Sequence, residues 1–513
     1  MTFIRPLLLC SAFLALSFDL LLHDLVTGKA PLGIGLSVML SCSIAALIFL
    51  SVRTKLPGRR RSLYFLIPAF LLSLGCAWRD SHTLSALDLY LVVFFLFVSS
   101  VSMQGCKMLI AGVSRYIQVF KCMTESLVIQ PVEVIFKELK WQELLPSSIA
   151  SHTGALARGL FISLPLLFTF GLLLTSADAA YSSLLQKSFK IDLQAFTMHC
   201  FLIIMALWCS LGTLSRMFAG KMHGKDLSVE DVPSLKLGAI EVCTITGVIN
   251  LLFLSFVLVQ IQYFFGGANV VALTSGLTYA EYARRGFFEL VTVVALVLPT
   301  LLFLDWTFVQ KSRLGIFLFR GLTFAQISML FVMMASAVKR MMLYQMEYGQ
   351  TELRLYTTAF MGLMAIVFVI FTLTVLRGYR KHFAFASIVA GLLVTATMHF
   401  INPDAMIVQA NLDRAKAGKD FDIEYNLSLS KDAIPVLVSR LGELSKEKQI
   451  LVRDRLESDY VFSSRFSKFK DWRHWNWARA KADQFVGKEL RQKTIGMNYP
   501  PDKPKINQVT GKI

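Results

Sequence analysis

The residues best equipped for chemistry in this chain stand at the edges of long apolar stretches. The segment TYAEYARRGFFEL supplies Tyr279, Glu281, Tyr282, Arg284, Arg285 and Glu289 just ahead of one such stretch. A second segment, KRMMLYQMEYGQTELRLY, carries Arg340, Tyr344, Glu347, Tyr348, Glu352 and Arg354 between two apolar runs, and Asn402, Pro403 and Asp404 follow a third. Forked arginine donors suit phosphate or carboxylate, and Glu281 or Glu352 can accept a proton. The candidate ligand-binding set is therefore Glu281, Arg284, Arg285, Arg340, Tyr344, Tyr348, Glu352, Arg354, Asn402 and Asp404. The alternative stays open: the same groups suit a collar of salt bridges and hydrogen bonds joining the helices to the tail of the chain.

Two further groups lie inside apolar runs. Asp19 and His23, four residues apart, share one face of a helix and can relay a proton or hold an ion, although polar side chains near a helix end also reach back to the membrane interface. Glu241, Asp305 and Arg320 fall near the same ends of three consecutive runs, where mutual neutralisation avoids unpaired charge in lipid. No side chain is assigned as catalytic. The sequence contains no phosphate-binding glycine loop, no H-E-x-x-H, no G-x-S-x-G and no C-x-x-C, so it calls for no cofactor and no metal. The eight cysteines, Cys10, Cys42, Cys76, Cys106, Cys122, Cys200, Cys209 and Cys243, imply no disulfide framework.

What must position these groups is an all-α, polytopic membrane helix bundle. The composition is 55% hydrophobic with 41 Phe, and the mean hydropathy is +0.58, beyond ordinary globular content. Apolar runs of spanning length occur near residues 6–25, 32–51, 62–78, 86–103, 157–175, 193–218, 237–264, 286–308, 319–337, 357–375 and 383–401, about eleven in all. The run at 6–25 starts like a signal peptide, but Asp19 and the lack of a small-x-small cleavage site make it a retained first helix. The net charge of +18 fits basic loops facing the cytoplasm and anionic lipid, so no nucleic acid is expected. Lysine and arginine favour the side of the N-terminus, which puts that end in the cytoplasm. An odd number of spans then carries the hairpin tip at 338–356 and the whole tail outside.

The chain divides accordingly. Residues 1–104 make four early helices, and 105–156 form a cytoplasmic-side amphipathic connector containing RYIQVFK and VEVIFKELKWQELL. Residues 157–401 make the main bundle. From 402 to 497 the composition becomes that of a soluble, extracytoplasmic helical module, and 498–513 is read as a disordered end. In the module, DWRHWNWARA sets Trp472, Trp475 and Trp477 among bases, suited to a cation-π ligand or to packing against the module or the membrane surface.

EYARRGFFEL, KRMMLYQMEYGQTELRLYTTAF, LRGYRKHFAF and INPDAMIVQANLDRA, in that order, resemble the bacterial membrane family catalogued as domain of unknown function 4173, over roughly residues 278–435. This chain has Gln350 where that family's hairpin usually reads Y-G-L-T. The resemblance implies a multi-span envelope protein and supplies no activity. From the residues, the leading expectation is a transporter or flippase-like handler of an anionic envelope molecule in a bacterial cytoplasmic membrane. A membrane-embedded transferase or hydrolase with an outward-facing site, and an envelope sensor or scaffold whose tail meets envelope proteins, are the alternatives. Membrane lipid is the one partner common to all three.

Overall fold

The computed structural model describes residues 4–28, 31–54, 58–135, 193–218, 236–275, 287–309, 313–466 and 471–496. These are helical throughout, with one isolated bridge, Leu237 to Phe308, and no strand among them. Ten described helices are long and apolar enough to cross a membrane. They are α1 (Ile4–Val26), α2 (Ile34–Thr54), α3 (Arg59–Trp78) and α4 (His82–Met103), then, after the amphipathic α5 (Val113–Glu133), α6 (Leu193–Phe218), α7 (Ala239–Ser275), α8 (Phe287–Thr307), α9 (Arg313–Tyr348), α10 (Glu352–Thr374) and α11 (Arg380–Ile401). The run at 157–175, the connector beyond Ile135 and the end read as disordered at 498–513 lie outside the described residues.

Two apolar cores hold the spans. Leu14, Leu47, Phe65, Val98 and Val119 share one core with Leu211, Leu214, Met217 and Phe218 of α6. Phe287, Leu301, Leu330, Phe368 and Phe371 build the other, from α7 to α11. Thus α6, which the sequence groups with the later spans, packs with the early ones. The last span joins both cores, through Phe383 to the second and Ala384 to the first.

The tail folds as α12 (Pro403–Lys416), α13 (Ile423–Ser428), α14 (Ile434–Ser439), α15 (Lys446–Phe466) and α16 (Trp477–Gly496). Ile407, Val408, Leu412, Leu437, Val452 and Val486 form its core, which also takes in Leu355 from the first turn of α10. Asn402 directs the chain into it. With φ 59° it ends α11 in the left-handed region, and its side chain caps α12, whose first residue is Pro403. A left-handed asparagine followed by a proline at N1 satisfies both helix ends at once.

The tail is keyed to one face of the bundle. Arg79, just past α3, donates from Nε to the His399 carbonyl at 2.8 Å and from Nη1 to Asp432 Oδ1 at 2.9 Å. Asp432 Oδ2 accepts from the Asp80 amide at 2.6 Å. Asp80 in turn accepts from Arg479 Nε at 2.8 Å, while Asn476 donates to the carbonyls of Cys76 and Arg79. The ends of α1, α3, α9 and α11 and the starts of α2, α4, α6 and α10 all lie on this side, which we term the module face.

Arg79 and Asp432 are 12% and 3% exposed, so removing either leaves a buried charge without its counter-ion, at a cost of roughly 3–5 kcal/mol. Arg79→Ala is expected to lower the melting temperature of the detergent-purified protein and to open the tail to limited proteolysis. Arg79→Ala with Asp432→Ala should be no less stable than Arg79→Ala alone. Additive loss in the double variant would disprove the coupling.

Candidate functional site

The hairpin tip is built by α9 overshooting the membrane. Its 36 residues extend about 54 Å at 1.5 Å per residue, against a hydrocarbon core of about 30 Å. Gly349 stops it at φ 82°, where an L side chain is strained and where a Cβ would lie 2.7 Å from Arg414 Nη1. Thr351 then caps α10 by accepting from the Arg354 amide.

The sequence-derived candidates around this tip are engaged with one another and with the tail. The rings of Tyr344 and Tyr348 lie 4.9 Å apart, and the Arg354 guanidinium sits 4.1 Å from the Tyr344 centroid while donating to the Gly349 carbonyl. The Glu352 amide donates to the Tyr425 hydroxyl at 2.8 Å, Glu347 pairs with Lys419 at 2.9 Å, and Asn411 exchanges hydrogen bonds with the Gln350 backbone. Arg340 is half-buried on α9. Asn402 is the cap described above, and Asp404, fully buried, accepts from Ser430. This is the geometry of a joint between α9, α10 and the tail. Glu281, Arg284 and Arg285 lie outside the described residues.

Of the trio Glu241, Asp305 and Arg320, Asp305 pairs with Arg380 of α11 at 2.9 Å and has the Arg320 charge as a second favourable neighbour, while Glu241 accepts from the Gly238 amide at the start of its own helix, at 2.6 Å.

Asp19 and His23 do share a face, and the structure brings them a third partner. His199, in the second turn of α6, places Nδ1 2.8 and 2.9 Å from the two Asp19 oxygens. Its ring stacks on His23 with centroids 3.7 Å apart and planes 11° apart. These three line a groove of about 590 Å³ with Leu16, Leu20, Asp24, Ala195 and Arg473. The tail supplies the last of these. Arg473 bonds Asp24 at 2.9 Å, pairs with Asp471 and donates to the Leu20 carbonyl. The Ile34 amide donates to the Trp475 carbonyl at 2.8 Å, and at Gly33 a Cβ would come 2.5 Å from the His474 backbone. Trp472, Trp475 and Trp477 remain exposed beside it, the position of interfacial aromatics. Chemically, a carboxylate gripping one imidazole nitrogen fixes that ring's orientation and leaves the other nitrogen for acid–base or ligand work. His199 was not singled out from sequence. The signal was there, a lone histidine within an apolar run near the same membrane face as Asp19, but pairing it needs the packing of α1 on α6.

Another pair passed over in the sequence lies deeper. His399 Nε2 and Asp88 Oδ1 stand 3.0 Å apart, 6% and 0% exposed, bridging α11 and α4, with Trp78 stacked on the imidazole.

Residues 66–439 match the family described as "Domain of unknown function (DUF4153)". The chain belongs to this family. The assignment corrects the resemblance to domain of unknown function 4173. Tyrosines and arginines at span ends meet a demand common to many membrane proteins, so such motifs discriminate families poorly, whereas this match runs from α3 to α14. No curated protein and no solved structure matches the chain. The family region contains His199, while Asp19, His23 and Arg473 fall outside it.

Burial, opposed by the Ser430 hydrogen bond and reinforced by the charges of Glu352 and Asp432, pushes the Asp404 carboxyl up to about 6 from 3.8. The folded state thus holds the proton more tightly, and the stability this contributes is complete below pH 3.8 and lost as pH rises through about 6. Asp404→Asn, neutral at every pH, is expected to raise the melting temperature relative to wild type at pH 8 by several degrees, with the gain vanishing near pH 4. A gain independent of pH would show that folding leaves the Asp404 carboxyl at its ordinary value.

Proposed function

We propose that this integral membrane protein is an enzyme of the hydrolase or transferase class, acting at its module face on an amphipathic, anionic molecule of the envelope. The observation that carries the reading is the groove in which Asp19 and His199 meet, 2.8 Å apart. Leu16 and Leu20, 59% and 65% exposed, form an apolar wall along which a lipid-borne substrate can enter sideways, and Arg473 supplies a cation at the polar end. Asp19, His23 and Asp24 stand together in the last eight residues of α1, and His199 in the second turn of α6, a cluster that suits chemistry at one surface. The hairpin residues serve in this reading to fix the tail, and with it Arg473, over the groove.

The test compares lipid and envelope extracts from a deletion strain complemented with wild type or His199→Ala. The expected outcome is that one amphipathic species accumulates in the deletion strain and in the His199→Ala strain at matched protein levels. A normal extract profile with His199→Ala would overturn the reading.

The same reading sets the N-terminus in the cytoplasm of a bacterial cell and the module outside the cytoplasmic membrane, on the bias of lysine and arginine among the loops. In a background without native cysteines, Cys at the exposed Ser445 is expected to react with an impermeant thiol reagent in intact cells whose outer barrier is opened. Cys at the exposed Arg60 should react only after lysis. Reversed labelling would invert the topology and place the groove on the cytoplasmic side.

A further inference from the structure

The geometry points to a binding site for a first-row transition-metal dication of the zinc class, held by Asp19, His23 and His199. One donor atom from each of the three lies within 4.8 Å of the others. The separations of Asp19 Oδ1 from His199 Nδ1 and from His23 Nδ1 are 2.8 and 3.6 Å. Donors about 2.1 Å from a common ion stand roughly 3.0–3.4 Å apart at octahedral to tetrahedral angles, a span that these two separations bracket.

An independent observation marks the point where the ion belongs. His23 is 7% exposed, yet its Nδ1 has no hydrogen-bond partner, and the distance of 3.6 Å to Asp19 is too long to supply one. A buried polar atom is normally satisfied, because leaving it bare costs about 1–3 kcal/mol. A cation between His23 Nδ1 and Asp19 Oδ1 supplies the missing partner. It also offsets local charge, since among the described residues Asp19, Asp24 and Asp471 face Arg473 and the imidazoles of His23, His199 and His474. Ion entry replaces the His199 proton on Nδ1 and opens the stacked rings like a fan, so that each in-plane lone pair meets the ion. The half-exposed His199 ring, 43% accessible on the groove side, has the room to make that turn.

Two imidazoles with one carboxylate favour zinc, iron or manganese over magnesium or calcium, which prefer all-oxygen shells. Three protein donors also leave coordination positions open toward Leu20 and Arg473, the arrangement of a catalytic ion rather than a closed structural one. The neighbouring trio Asp24, Asp471 and His474 is different. There the Arg473 guanidinium already occupies the centre, pairing with both carboxylates.

The site concerns the groove of the proposed enzyme but is tested without turnover, so that metal binding and enzymatic function fail separately. The full chain, purified in detergent and stripped with a chelator, is titrated with Zn²⁺ and with Co²⁺ as a spectroscopic probe. One equivalent of Co²⁺ is expected to give visible d–d bands, displaced by Zn²⁺, and either ion should raise the melting temperature. His199→Ala should weaken binding by more than the roughly 10–100-fold that loss of an outer partner costs, and Asp19→Asn should do likewise. Because Asp19→Asn can disturb the packing of α1 on α6, His23→Gln serves as the second variant, retaining a polar group of similar reach at the same place. No bands and no Zn²⁺-dependent thermal shift in the wild type would overturn the site and leave the triad as a hydrogen-bonded clip between helices. So would Co²⁺ binding unchanged in His199→Ala and His23→Gln, or a stoichiometric preference for Mg²⁺.

Discussion

A guanidinium buried where membrane bundle meets tail constrains the whole module face. Taking Arg79 out of water is tolerable only because its donors are directed to the His399 carbonyl and Asp432, and Asp432 uses its second oxygen on the Asp80 amide. These bonds tie the end of α3, the end of α11 and the start of α14 at one point. They also hold the His399 backbone where its ring can reach Asp88. Arg479, which bonds Asp80, belongs to the segment that continues back through Asn476 to Arg473. The position of the arginine over the groove is therefore inherited from a charge pair in another part of the molecule.

Much of this was legible in the sequence because lipid imposes a simple rule. A helix that must satisfy its own backbone and present apolar side chains all round declares itself by length and composition, and all ten described spans coincide with apolar runs. The hairpin was equally readable: Gly349 and Thr351 have one good use each at a helix end, and both are used so. What could not be read was partnership across the bundle. Asp19 and His23 share a helix, so their spacing is enough to link them. His199 lies 180 residues from Asp19, and Asp432 lies 353 from Arg79, with nothing in local periodicity to pair them. For the hairpin polar groups the sequence leaves a ligand site and a collar equally open; in the structure Arg354 lies over Tyr344 and bonds the Gly349 carbonyl, and Asp404 accepts from Ser430.

The family match and the groove divide the molecule differently. The match begins within α3 and ends at Ser439, taking in the second apolar core, the hairpin, the Arg79–Asp432 pair and the first part of the tail. The groove draws its carboxylates from α1 and its arginine from the segment before α16, with His199 its contribution from within the match. The matched portion, in physical terms, is a frame that brings the two outer segments of the chain together at the module face.

The clasp between Trp475 and Ile34, with Arg473 bound to Asp24, sets an order on biosynthesis. Arg473 and Asp24 are 449 positions apart. At about 5–20 residues per second, the first two helices wait roughly 20–90 s in the bilayer before the segment that completes them is made. During that interval the turn joining them lacks its final partners, and a ribosome that stops short leaves it so. The first hairpin therefore acquires its final contacts only after every described span has been made.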